Sequence, residues 1–274
     1  MTIYPWLIAT TNLGLPVLLA ALGGLVCEKS GTAALFLEGT MLTASFIAIR
    51  AGGGFTGLLC GLATGMLVTG IHYLLVHRAN VKDVIAGVGL NMFALSVTSL
   101  CERISPSAES VPTLSTQTGT LIAASCVAAF IISYRTTNIR VQLEISGESA
   151  LQAQIFGVNV SRVRMLSHLV AGGLAGLGGA LLPIMGIGTF VENMTNGRGY
   201  LALAAIVFGR WEPHLVIATS IGFAGLDALQ LVAAAQGVKI DADLLALLPY
   251  VAGLAALMFR TKRNSGPAEL SKSA

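Results

Sequence analysis

Glu38, Asn91, Asp227 and Gln230 are polar side chains inside otherwise apolar stretches, where they could do chemistry. Glu38 is a carboxylic acid in the run 34–49, Asn91 an amide in 84–101, and Asp227 precedes Gln230 by three residues in 214–235. An ionisable side chain in hydrocarbon costs roughly 2.5–3.5 kcal/mol on insertion scales, so by default it marks a pathway or a paired site. Asp227 and Gln230, at i and i+3, share one helix face, as a polar lining requires. Asn91 has two readings: an interhelical hydrogen bond worth roughly 0.6 kcal/mol, or a side chain facing a wet cavity. Glu38 also has two, as a pathway residue or as a cap for the free N–H groups of a broken helix. Covalent catalysis is not indicated, because there is no Ser/His/Asp spacing and no H-E-x-x-H. His72, beside Tyr73, reads as an interfacial residue, while His77, His168 and His214 sit near segment ends without metal-ligand spacing. Neither a metal nor a cofactor is expected in the chain. The cysteines Cys27, Cys60, Cys101 and Cys126 form no C-x-x-C pair and read as packing residues.

The elements that must position these residues are membrane spans. Of the 274 residues, 54% are hydrophobic and 11% charged, with a mean hydropathy of +0.79, against roughly a quarter charged in a soluble domain. Apolar segments lie near 5–27, 34–49, 54–76, 84–101, 119–134, 165–187, 199–209, 214–235 and 243–260. They lack the period-2 alternation of barrel strands, so the backbone must satisfy itself as helices. The fold class expected is an all-α, polytopic integral membrane bundle of about nine (eight to ten) transmembrane or half-spanning helices. The segments 34–49 and 199–209 are the two weak ones and read as half-helices. The residues before Pro5 contain no basic n-region, so the first run reads as a retained span. Gly57, Gly61 and Gly65, and likewise Gly172 and Gly176, recur at i+4 and read as close-packing helix faces. Pro16, Pro183 and Pro249 fall within spans as kinks or breaks.

Basic residues are retained on the cytoplasmic side. With nine crossings and a cytoplasmic C-terminus, the inside collects Lys29, Arg78, Lys82, Arg135, Arg140, Arg162, Arg164, Arg210, Arg260, Lys262, Arg263 and Lys272. The outside keeps Arg50, Arg103, Arg198 and Lys239. The stretch 102–118 is polar and poor in basic residues, which suits an external loop; 135–164 is a long basic cytoplasmic loop. The polar tail 261–274 reads as disordered. Within the long loop, Gly147 to Val160 has a short helical pattern, with apolar Ala150, Leu151, Ile155 and Phe156 and with Gly157 as C-cap. Such a helix either rests on lipid headgroups or docks in a groove of another protein.

At this point the chain resembles the permease subunits of binding-protein-dependent ABC importers for nucleosides, ribose-type sugars and branched-chain amino acids, most closely the nucleoside type. The resemblance rests on Cys27-Glu28-Lys29-Ser30-Gly31, Leu37-Glu38-Gly39, Gly87-Val88-Gly89-Leu90-Asn91-Met92, the Gly147–Val160 segment, Ala171–Ala180 and Gly197–Trp211, in that order. It implies a single permease domain over 1–260, in the bacterial cytoplasmic membrane, that pairs with a second permease subunit of the same or a homologous chain. It implies two ATPase subunits that hold the ATP and Mg, and an external substrate-binding protein. Taken with the polar positions above, the substrate-pathway candidates are Glu38, Gly39, Asn91, Tyr200, Asp227 and Gln230, and the resemblance points to Gly147, Glu148, Ala150, Ala153, Ile155, Phe156 and Gly157 for ATPase coupling. Similar permeases usually carry Asn-Ile-Gly before the Glu, where this chain has Ala34-Leu35-Phe36. The chain has no G-x-x-x-x-G-K-[ST] phosphate loop, so energy must come from outside it. The function expected is ATP-driven import of a small polar solute, a nucleoside, a related ribose-containing compound or a simple sugar. The alternative is a secondary transporter driven by an ion gradient through Glu38 and Asp227.

Overall fold

The computed structural model describes residues 3–106, 110–235, 251 and 266–270. Among these it has ten helices and no strand: α1 (Ile3–Lys29), α2 (Leu37–Arg50), α3 (Gly54–His77), α4 (Asp83–Ile104), α5 (Thr116–Thr136), α6 (Ile139–Glu148), α7 (Ala150–Ile155), α8 (Val160–Met185), α9 (Arg198–Phe208) and α10 (Pro213–Ala235). By length and composition α1, α3, α4, α5 and α8 can each cross a membrane. The helices α2 and α9 have 14 and 11 residues, about 21 and 17 Å, short of the roughly 30 Å hydrocarbon core. The two weak segments are therefore half-helices. The segment 243–260, with Pro249, lies outside the described residues.

Long-range contacts sort the helix ends onto two faces. On one, the Lys29 ammonium at the end of α1 donates to the Tyr134 hydroxyl near the end of α5 at 2.9 Å. There too the Tyr73 and Ser161 hydroxyls pair at 2.8 Å, and the Trp211 indole donates to Glu28 at 2.6 Å. This face carries α6 and α7. On the opposite face Arg50 pairs with Glu102, Gly54 N–H reaches the Pro112 carbonyl, and Val111 N–H reaches that of Gly188. Residues 110–115 are thus tied to the ends of α3 and α8. The chain 30–36 enters from the α6–α7 face to start α2, while 186–197 enters from the opposite face to start α9. Each half-helix then runs outward to the face across from its entry.

The central helix is α8, packed against α1, α2 and α3. Lipid gives apolar helices no hydrophobic drive to associate, so close backbone contact must hold them. The two glycine faces read from the sequence are the two sides of one interface. A Cβ added at Gly65 would overlap the Gly172 carbonyl, one at Gly176 would overlap that of Gly61, and one at Gly61 would lie 2.6 Å from Ala180 Cβ. Gly70, on the open side of α3, has nothing within 4 Å. Gly65→Leu is expected to destabilise the detergent-purified protein by about 3 kcal/mol, whereas Gly70→Ala should stay within about 1 kcal/mol of wild type or improve on it. Thermal unfolding of the two variants side by side checks this.

Candidate functional site

The starts of α2 and α9 meet at Glu38. Its Oε1 accepts from the Thr195 hydroxyl at 2.6 Å and from Gly197 N–H at 2.9 Å, and its Oε2 accepts from Gly199 N–H at 2.6 Å. The residue is 8% exposed. The first N–H groups of a helix have no intrahelical partner, and this carboxylate supplies acceptors to those of α9. Asn193, Asn196 and Gly197, all with positive φ, turn the chain sharply into that helix. Asn and Gly are the residues that tolerate this conformation. Gly199 is required for a different reason, since a Cβ there would overlap the Glu38 backbone.

Asn91 braces the other half-helix. Its Oδ1 accepts from Gly39 N–H at 2.8 Å, while its Nδ2 donates to the Leu35 carbonyl at 2.7 Å and to the Tyr200 hydroxyl at 3.1 Å. Of these, Tyr200 is the exposed member, at 44%. Of the six residues named for the pathway, Glu38, Gly39, Asn91 and Tyr200 form this one connected junction. Asp227 lies beside it, paired with Arg198 at 3.3 Å. Arg198, counted above as an external loop charge, instead opens α9 and also donates to the Met194 and Thr195 carbonyls. The side chain of Gln230 lies outside the described residues.

The helical pattern expected over Gly147–Val160 divides differently. Gly147 and Glu148 close α6, and α7 covers only Ala150–Ile155, capped by the Ser149 hydroxyl on Gln152 N–H. Ala153 is fully buried, and Gly147 lies against the Lys29 carbonyl, so both face the bundle. Leu151, Ile155 and Phe156 project outward at 69%, 74% and 74% exposure. Ala150 is half-buried and Glu148 exposed. Gly157 has φ +78° with open space around it, so backbone conformation alone calls for glycine there. Glu144 pins α6 by pairing with Lys29 at 3.1 Å and Arg140 at 3.0 Å. Burial opposes ionisation of Glu144, but the hydrogen bonds from Arg140 and Lys29 outweigh it and hold its carboxyl below the usual range. This fastening is fully present above the ordinary carboxylate pKa and is lost as pH falls through the lowered one.

The histidines differ from expectation. His72 is not interfacial but fully buried, as is His168 near the start of α8, with His72 Nδ1 at 3.2 Å from His168 Nε2. The Phe36 ring lies 4.7 Å from that of His72 and 5.7 Å from that of His168. Phe36 is thus a core residue, which is what the departure at 34–36 achieves. No cluster of three or more metal-ligating side chains occurs among the described residues. The expected disordered tail is also corrected in part, because 266–270 dock on the α6–α7 face, with Glu269 N–H on the Gly147 carbonyl at 2.8 Å.

Residues 7–259 match the model of a family described as the branched-chain amino acid transport system permease component. The chain belongs to this permease family. Curated relatives agree. The permease is 29% identical over 260 residues to a protein of Haloferax volcanii provisionally named a glucose ABC transporter permease, covering 85% of this chain and 79% of that one. It is 25% identical over 296 residues to a guanosine ABC transporter permease of Bacillus subtilis, covering 94% and 92%. It is 26% identical over 272 residues to a nucleoside ABC transporter permease of Lactococcus lactis, covering 86% of each. With its apolar helices, the permease is a multi-pass membrane protein.

Glu38→Ala would strand two buried donors and the part-buried Gly197 N–H, each costing about 1–3 kcal/mol. The variant is expected to lose at least about 3 kcal/mol in chemical unfolding. Glu38→Gln should fall between it and wild type, because one amide end then faces Gly199 N–H. A Glu38→Ala protein as stable as wild type but unable to transport would make the residue a solute contact alone.

Proposed function

We propose that this permease forms half of the translocation channel of an ATP-driven importer in the bacterial cytoplasmic membrane. The observation that carries the reading is the short α7, whose Leu151, Ile155 and Phe156 project from the bundle while Ala153 anchors it. An apolar cluster outside the spans needs a cover. An ATPase subunit is that cover, because the chain has no phosphate loop of its own. Lys29, Arg78, Lys82, Arg135, Arg140, Arg162, Arg164 and Arg210 belong to the α6–α7 face, against Arg50 and Arg103 on the opposite one. That bias supports a cytoplasmic α6–α7 face and, in this reading, a cytoplasmic C-terminus.

In this reading residues 1–260 act as one permease domain, two permease subunits enclose the path, and two ATPases bound below hold ATP and Mg. An external binding protein delivers the solute. The path is lined at the Glu38 junction by Tyr200 and Asn91, with Gly39 and Asp227 about it, and Gln230, three residues on from Asp227, is assigned to the same lining from its spacing. The half-helix N-termini there resemble the broken-helix sites of other transporters. The cargo is a nucleoside or a related ribose-containing compound, with simple sugars next, in line with the guanosine, nucleoside and glucose permeases among the relatives. Spans without excess basic residues argue against a highly anionic cargo. The reading as an ion-gradient transporter is weaker, because Glu38 is taken up by three donors and Asp227 by Arg198.

Phe156→Asp places a charge on the exposed edge of α7 without touching the core. It is expected to abolish co-purification of the ATPase and solute uptake while leaving the permease's melting temperature within a few degrees of wild type. Full ATPase recovery with this variant would remove α7 as the docking element.

A further inference from the structure

The segment 266–270 meets four separate parts of the α6–α7 face. Gly266 lies on the Trp211 ring, 2.7 Å from it at an added Cβ, and so touches the α9–α10 connection. Pro267 packs beside Gly147 in α6, and Glu269 N–H donates to the Gly147 carbonyl at 2.8 Å. The Glu269 carboxylate pairs with Arg164 at the start of α8 at 3.2 Å, with the two side chains 14% and 18% exposed. Arg164 also donates to the Ser30 carbonyl at 3.2 Å. Gly31, whose missing side chain leaves room for Glu269 Cβ, opens the re-entrant stretch that leads within seven residues to Glu38.

We propose that the C-terminal segment is a strap, with Glu269 and Arg164 as positioning residues, that fastens the α6–α7 unit to the root of the re-entrant stretch. Movement imposed on α7 then reaches the Glu38 junction instead of bending the loop between them. Besides the strap, α6 is held to α1 by Leu143 packed against Val26 and by the ion pair of Glu144 with Lys29, and a 39%-exposed carboxylate makes the latter a soft link. A backbone hydrogen bond joined to a largely buried ion pair is stiffer. On its other side the pair faces a polar cavity of about 230 Å³, shared with Thr32, His77 and Asp83, in place of packed apolar core. Loss of the carboxylate therefore leaves the bundle folded.

This role rests on the proposal that α7 receives the ATPase, and the test separates the two. Wild type, Glu269→Lys, Glu269→Asp and a chain ending at Ser265 are compared. In the permease alone, hydrogen exchange of the amides in 139–155 should rise about fivefold in Glu269→Lys and in the shortened chain and stay near wild type in Glu269→Asp. In proteoliposomes with ATPase and binding protein, the first two should still retain the ATPase yet carry at least about twofold less solute per ATP hydrolysed. Unchanged exchange in both overturns the strap as a contact, and raised exchange with wild-type solute per ATP overturns its coupling role. If even the wild-type permease retains no ATPase, the docking proposal fails and the strap's coupling role with it, while exchange still decides the contact.

Discussion

Two short helices that start inside the bundle leave N–H groups without intrahelical partners, and Glu38 meets those of α9 while Asn91 meets that of Gly39 in α2. The N-termini of α2 and α9 each carry a partial positive charge, and a carboxylate between them is held by three donors. Charge-assisted hydrogen bonds contribute roughly 1.5–3 kcal/mol each. Together they exceed the roughly 2.5–3.5 kcal/mol needed to bring such a group into a helix centre. A residue that looks expensive in isolation is therefore what caps the start of α9 within the bundle, as Asn91 does for α2.

The rest of the molecule is arranged about that junction. Asn91 braces the α2 start from α4 and brings the Tyr200 hydroxyl of α9 into the same network. Arg198 and Asp227 link the α9 start to α10. Below, Phe36 closes the re-entrant stretch against His72 and His168, and the glycine seam lets α8 lie close to α3. The α6–α7 unit sits on the end of α1, the same end from which the re-entrant stretch departs. A displacement there has a short route to the only part of the described bundle where two helices start within the membrane.

Much of this was legible in the sequence because it is local. Spans follow from continuous apolar runs, Glu38 and Gly39 within 34–49 and the short length of 199–209 marked the half-helices, and i+4 glycines marked the seam. Glu38 was legible as a problem, a charge in an apolar run, but its donors lie 157 to 161 residues away in sequence. His72 was misplaced for the same reason: 96 residues separate it from His168, and nothing near it in sequence indicates a partner. Arg198 resembled a loop charge because its helix begins inside the membrane. The α7 cluster was found as a helix, but which of its residues face outward was settled by Ala153 and Gly147 packing inward.

The central claim is that this bundle is a path powered from outside itself. Uptake of radiolabelled nucleoside into proteoliposomes containing the permease, its ATPase and its binding protein measures this directly. The account predicts uptake that requires ATP on the α6–α7 side and is unchanged when ionophores collapse every ion gradient. Uptake by the permease alone, driven by an imposed gradient and abolished by the ionophore, would contradict it.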